Sequence, residues 1–233
     1  MRSIISHLSL ALKTLSRKIT IPVWMVPAAI VLSAATFNEW KQPGHPFPET
    51  RIGTQTWMAA NLDIATFRNG DPIPEAKSKE EWIAACKAKQ PAWCYYNNDP
   101  ANGKKYGRMY NWYAVNDSRG LAPAGWHIPT LQEWIQFEKS VEITGAGMLF
   151  ECPDEASGFC AKGGGYRFSN GNFSGLEEFI YLSGASGEII KDAGGTPSPV
   201  LWGRGIHVVD HTHMRCGLGK DFGLYVRAVK DSN

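Results

Sequence analysis

The sequence predicts an α+β fold, with helices in its first half, short strands in its second and long loops between. That order differs from the regular alternation of a βαβ chain. Three stretches carry the expectation. Gly125-Trp126-His127-Ile128-Pro129-Thr130-Leu131-Gln132-Glu133-Trp134 reads as a turn running into a helix. Pro129 stiffens the chain just outside the helix, Thr130 is its N-cap, and Glu133, three residues on, completes a capping box. Ser78 and Glu81 form a second capping box, ahead of a helix that carries Trp82, Ile83 and Cys86 on one face and is stopped by Pro91. Leu224-Tyr225-Val226-Arg227-Ala228-Val229 is a β-rich alternating run, expected to pack beside the Gly125–Trp134 turn.

Taken from the start, residues 1–18 are basic and residues 19–37 form an uncharged, mostly apolar run of 19 residues, long enough to span a bilayer. The positive flank keeps the N-terminus cytoplasmic and sends the bulk of the chain outward. Ser33-Ala34-Ala35 supplies small residues for cleavage, so residues 1–37 read either as a signal peptide or as a membrane anchor. An anchored chain faces the periplasm from the inner membrane; a cleaved one is secreted or held at the cell surface. No cysteine lies near the end of the apolar run, which argues against lipid modification there. Residues 38–50 contain Pro43, Pro46 and Pro48 and read as a semi-extended spacer. Residues 51–233 are left for one domain, large enough for a real core.

The chain is 43% hydrophobic and 20% charged, an ordinary globular balance. Its formal charge is +2, and removing the leader's four positives (Arg2, Lys13, Arg17 and Lys18) leaves −2 for the remainder. A nearly neutral domain has no electrostatic case for binding nucleic acid. Export permits disulfides among the five cysteines. Cys86 with Cys94 and Cys152 with Cys160 would each close a short loop and leave Cys216 odd, but spacing does not fix connectivity, and all five also read as small buried hydrophobes.

Within the domain, residues 51–58 read as a short hairpin with Gly53 near its turn and Trp57 directed inward. Residues 95–105 read as a polar loop, and Tyr106–Val115 is aromatic-rich, with helix and strand equally open. The helix after Thr130 directs Leu131, Trp134, Ile135 and Val141 to one side. Residues 145–199 are rich in Gly and Ser, with short strands at 166–168 and 179–182, and residues 200–215 form one or two strands.

Three clusters are candidates for chemistry. If residues 207–213 form one strand, His207, His211 and His213 share a face and could hold Zn²⁺ in an open site; an exposed polar edge is the plainer reading. Asn97-Asn98-Asp99-Pro100-Ala101-Asn102-Gly103 has the oxygen ligands Ca²⁺ prefers, although the same residues build turns and one carboxylate is few for Ca²⁺. Trp202, Arg204, Asp210 and Arg215, with the histidines, could hold a sugar or peptide by stacking and hydrogen bonds, while Trp202 reads equally well as core. His127 reads as a structural histidine inside its turn. No nucleophile elbow, phosphate-cradling loop or zinc-protease helix is present.

Ile52-Gly53-x-Gln55-x-Trp57-Met58-Ala59-x-Asn61-Leu62, Tyr106-Gly107-Arg108-x-Tyr110-Asn111-Trp112, the Gly125–Trp134 block, Gly164-Gly165-Tyr166-Arg167 and Val226-Arg227-Ala228-Val229-Lys230-Asp231 together resemble the Fibrobacter succinogenes major paralogous domain. The resemblance implies an exported domain without a general assigned activity and a C-type-lectin-like fold: two helices, a small twisted antiparallel sheet and long binding loops. It also marks Trp57, Trp126, His127, Pro129, Thr130, Glu133, Trp134 and Arg227 as fold-defining. Family members often carry cysteines where this chain has Ala122 and Ala228. The double departure implies that the two positions face each other, with Cβ atoms about 4 Å apart. The His127–Trp134 block also resembles formylglycine-generating enzymes, which use a copper-binding cysteine pair near the C-terminus. Here Cys216 stands alone in the last 70 residues. The expectation is therefore an exported, non-catalytic binding module, met by a glycan or an envelope protein. A divergent oxidase relative and a purely structural envelope component are the alternatives.

Overall fold

The computed structural model describes residues 47–144, 158–185, 189–191, 197–199, 201–208 and 213–232. All belong to the part of the chain from Asn38 onward. The basic and apolar leader and most of the spacer lie outside the described residues. Among those described, no helix is long and apolar enough to cross a membrane.

The fold is α+β. The first hairpin forms as its sequence predicts: β1 (Glu49–Ile52) and β2 (Gln55–Met58) pair antiparallel around Gly53, whose φ of +59° suits a residue without Cβ. Helix α1 (Lys79–Lys87) starts at Ser78, whose hydroxyl accepts the Glu81 amide at 3.1 Å. It ends before Pro91 is reached, because Lys89 adopts φ +54°. Trp82 and Cys86 are buried on its inner face.

The predicted polar loop at 95–105 contains α2 (Pro100–Tyr106), capped by the Asp99 carboxylate and begun by a proline at its first turn. The undecided Tyr106–Val115 stretch holds both structures: β4 (Met109–Tyr110) pairs with β3 (Trp93–Cys94), and α3 (Trp112–Val115) follows under an Asn111 cap. The described residues thus hold four α-helices where the family resemblance implied two. Helix α4 (Leu131–Thr144) is capped as predicted, and it buries Trp134, Phe137 and Val141. Phe137 joins Trp134 at i+3, a position the sequence reading passed over.

Two sheets organise the rest. In the first, the order is β1-β2-β14-β5, where β5 is Trp126–His127 and β14 is Val229–Lys230. The second runs β12-β11-β8-β6-β7, from β6 (Gly164–Arg167), β7 (Phe173–Leu176), β8 (Phe179–Ser183), β11 (Leu201–His207) and β12 (His213–Leu218). A separate two-stranded pair joins β9 (Ile189–Lys191) and β10 (Pro197–Pro199). The terminal run is not one alternating strand. It splits into β13 (Tyr225–Val226), parallel to β8, and β14, antiparallel to both β2 and β5. Every residue from Leu224 to Val229 is buried, so the run belongs to both sheets and shows neither to water.

The core follows from that bridge. Trp57 packs on Trp134, Phe137 and Phe159, with ring centroids 4.8, 4.9 and 6.1 Å away. A second cluster gathers Met58, Leu62, Tyr110, Trp126, Ala122 and Ala228. Burial of such aromatic area is the main favourable term holding the domain together.

Candidate functional site

The predicted docking of the terminal strand against the Gly125–Trp134 turn is present in the ladder. Val229 pairs with His127, Lys230 with Trp126, and the Asp231 amide reaches the Gly125 carbonyl at 2.9 Å. Arg68 braces the same turn from the other side, donating to the Ala122 and Trp126 carbonyls at 2.9 Å each. Glu133 ties the turn to α4. One carboxylate oxygen accepts the Thr130 amide and hydroxyl at 2.8 Å each, and the other meets His127 Nε2 at 2.7 Å. His127 Nδ1 meets Asp231 at 2.7 Å. Burial alone would lower the His127 pKa; the bonds to Asp231 and Glu133 outweigh it and raise the value overall. Burial likewise opposes ionisation of Glu133, but the Thr130 amide and His127 hold its carboxyl below the usual range.

This arrangement is a strut. Both imidazole nitrogens are engaged by carboxylates, which leaves neither free to take a proton from a substrate. Beside it lies a shallow polar groove of about 270 Å³, lined by Thr54, Thr56, Gln136, Lys230, Asp231 and Ser232. Its amides are largely spent within the protein: Gln55 donates to the Glu133 carbonyl at 3.1 Å, and Gln136 donates to Thr54.

Others of the residues that the resemblance marks lie in the core and at the turn. Trp57 and Trp134 are wholly buried, and the Pro129 carbonyl accepts the Ala185 amide at 2.8 Å. Arg227 is buried, donates to Asn61 Oδ1 at 2.9 Å and to the Phe159 and Cys160 carbonyls, and lies 4.2 Å over the Phe159 ring. Desolvation pushes its pKa down to about 9, so it stays charged at neutral pH and is held by oxygens and a ring face.

Of the ligand and metal residues predicted at 202–215, only Arg204 and His207 have described side chains. Arg204 is 3% exposed and ion-paired with Glu138 of α4, so its guanidinium serves the core instead of a ligand. His207 closes β11, β12 begins at His213, and the two strands pair antiparallel. The register sets position 213 opposite Ile206, so positions 207 and 213 do not share the parity of a single strand. Asp210 and His211 lie outside the described residues, as do the side chains of Trp202, His213, Arg215 and Cys216. Among the described residues, no group of His, Cys, Asp and Glu is arranged for a metal ion.

In the 97–103 stretch, the Asp99 carboxylate caps α2, and Asn98 Oδ1 faces Arg167 at 3.4 Å. Those oxygens are committed to the chain. Cys86 and Cys94 are free, buried thiols, which corrects their proposed pairing: Cys86 sits on α1 under Asn111 and the Asp221 carbonyl, and Cys94 on β3. Desolvation pushes the two thiols up to about 11 and about 12. Cys160 is disulfide-bonded; Cys152, its expected partner, lies outside the described residues.

A different surface stands out. In β8, Ile180 and Leu182 point into the core, while Phe179 and Tyr181 take the opposite face and stay half-buried. They continue a band of rings. Tyr166 of β6 lies 4.8 Å from Tyr181, Phe168 4.9 Å from Tyr166, and His207 5.0 Å from Phe179, with Phe222 5.7 Å from Phe168. All six are half-buried. The sequence carried a signal for this face: Phe179-Ile180-Tyr181-Leu182 is apolar at both parities, which a strand with one watered face does not need.

The Fibrobacter succinogenes major domain model matches residues 50–230. The chain belongs to this family. No curated protein and no solved structure matches it.

Proposed function

We propose that this family member is an exported, non-catalytic binding module that holds a glycan at the cell envelope. The observation that supports the reading is the aromatic band of Tyr166, Phe168, Phe179, Tyr181, His207 and Phe222 on the outer face of the second sheet. Apolar rings left partly open in a row are costly in water unless something covers them, and aromatic faces with nearby hydroxyls are suited to the C–H faces of sugars. The long apolar run at residues 19–37 supports export, with the domain either anchored at the inner membrane or released to the periplasm or surface. The resemblance to C-type-lectin-like folds supports binding through the late strands and loops.

A glycan array probed with the detergent-solubilised full chain, with and without chelator, tests this. Binding that survives the chelator and falls in Tyr166→Ala and Tyr181→Ala supports the aromatic face. Binding that the chelator abolishes overturns that face as the site. No binding by folded protein overturns the glycan reading and turns the search to envelope proteins.

A further inference from the structure

We propose that Asn172, read together with Ser174, is the acceptor of a covalently attached glycan, joined through its side-chain amide nitrogen; this rests on the export part of the reading above.

The chain holds two Asn-x-Ser sequences, Asn116-Asp117-Ser118 and Asn172-Phe173-Ser174. With any residue but proline in the middle, this pattern is the acceptor for asparagine-linked sugars in exported chains. A three-residue pattern recurs by chance, so the setting of each asparagine decides between the two.

Asn172 closes the turn between β6 and β7. The Phe168 amide donates to the Asn172 carbonyl at 2.8 Å and the Gly171 amide to the Phe168 carbonyl at 2.9 Å, with Ser169, Asn170 and Asn172 exposed. β7 is the last strand of its sheet, so the triplet leaves the turn along an edge. Phe173 anchors it, with its ring 5.2 Å from Tyr96 and 4.6 Å from Arg167 Cζ. Asn172 and Ser174 flank that anchor. Lys79 Nζ donates to Asn172 Oδ1 at 3.1 Å. An ammonium has no acceptor, so this contact fixes which end of the amide faces Lys79 and leaves Nδ2 directed elsewhere. Among the described residues, neither Asn172 Nδ2 nor the Ser174 hydroxyl has a hydrogen-bond partner.

Asn116 differs at each point. It caps the C-terminus of α3, is half-buried, and its Nδ2 donates to the Trp112 carbonyl at 3.4 Å. Its neighbour Asp117 is held by Arg119 through both carboxylate oxygens, at 2.8 and 2.9 Å.

An amide nitrogen is a weak nucleophile, so the step needs a transferase and an activated sugar, a glycosyl phosphate or pyrophosphate. Nδ2 attacks the anomeric carbon, and a C–N bond forms as the C–O bond to phosphate breaks. The phosphate leaves with the electron pair, and one Nδ2 proton passes to a base of the transferase.

The test uses the full chain isolated from the cells that make it, with fractionation recording its compartment. Trypsin releases peptides 168–191 and 109–119, which electron-transfer mass spectrometry sequences with sugars in place. Asn172 should carry an increment of whole sugar residues and Asn116 none. Asn172→Gln and Ser174→Ala should each abolish the increment, whereas Ser174→Thr should keep it. An increment that persists in either of the first two variants overturns the assignment. Bare Asn172 in exported protein, or sugar on Asn170 or a serine instead, overturns the inference and leaves export standing. A cytoplasmic chain with bare Asn172 overturns the two together.

Discussion

Replacing His127 with glutamine removes the charged bridge between Glu133 and Asp231 while leaving a side chain of similar reach. The effect should depend on pH, and its sign follows from the two shifts. The His127 pKa is raised above its ordinary 6.5, so the stabilisation it brings is complete below that value and is lost as pH rises through the folded-state pKa. The Glu133 pKa is lowered beneath its ordinary 4.5, so its share is complete above that value and is lost as pH falls through the folded-state pKa. Both shares are therefore full between 4.5 and 6.5.

A charge-assisted bond contributes about 1.5–3 kcal/mol when well shielded. His127 is 34% exposed and Asp231 49%, which reduces the outer bond to that of a surface pair. The two bonds together then contribute about 2 kcal/mol, or about 4–8 °C in Tm for a domain of this size. Thermal melts of wild type and His127→Gln, followed by near-UV circular dichroism across the acid to mildly alkaline range, measure the difference directly. The gap should be widest between pH 4.5 and 6.5 and shrink as pH rises through the folded-state pKa of His127. A gap that stays constant across that range would refute the strut.

Three further outcomes follow from the packing. Trp57→Ala should destabilise the domain by about 3–5 kcal/mol in urea titration, because a wholly buried ring contacting Trp134, Phe137 and Phe159 leaves a cavity its neighbours cannot refill; a loss under about 1 kcal/mol would contradict the core as described. Cys86 and Cys94, with thiols pushed up to about 11 and about 12 and both buried, should resist alkylation in the native protein and label fully in denaturant, as read by peptide mass spectrometry. Ala122→Cys with Ala228→Cys should close a disulfide under mild oxidation, since both alanines are buried in one cluster, and raise stability by up to about 4.7 kcal/mol for a loop of this length. A double variant that stays reduced would show that the two positions do not face each other.

Local chemistry was legible wherever a few adjacent residues settle the outcome. Ser78 with Glu81, Thr130 with Glu133, and Gly53 between two β-formers each state their structure within four residues, and the domain has all three. The helix at Pro100 was equally local, with Asp99 as cap and proline at its first turn, but turn-forming residues around it suggested a loop. The amino-acid order also carried enough blocks to place the chain in its family.

What the sequence could not decide is which distant residues share a face. Positions 207 and 213 lie on two paired strands instead of one, and the register sets His213 opposite Ile206. The destination of Arg204 depends on Glu138, which comes from another element. The terminal run reads as one strand by pattern, yet two sheets meeting around it split it at Arg227 and Ala228 and bury all of it. The aromatic face has the same origin: Tyr166, Tyr181 and His207 lie on strands far apart in sequence, and only sheet order brings their rings within about 6 Å. Caps and turns are set by contacts over a few residues, whereas the aromatic face is set by strand pairing across tens of residues, which only the closed tertiary structure fixes.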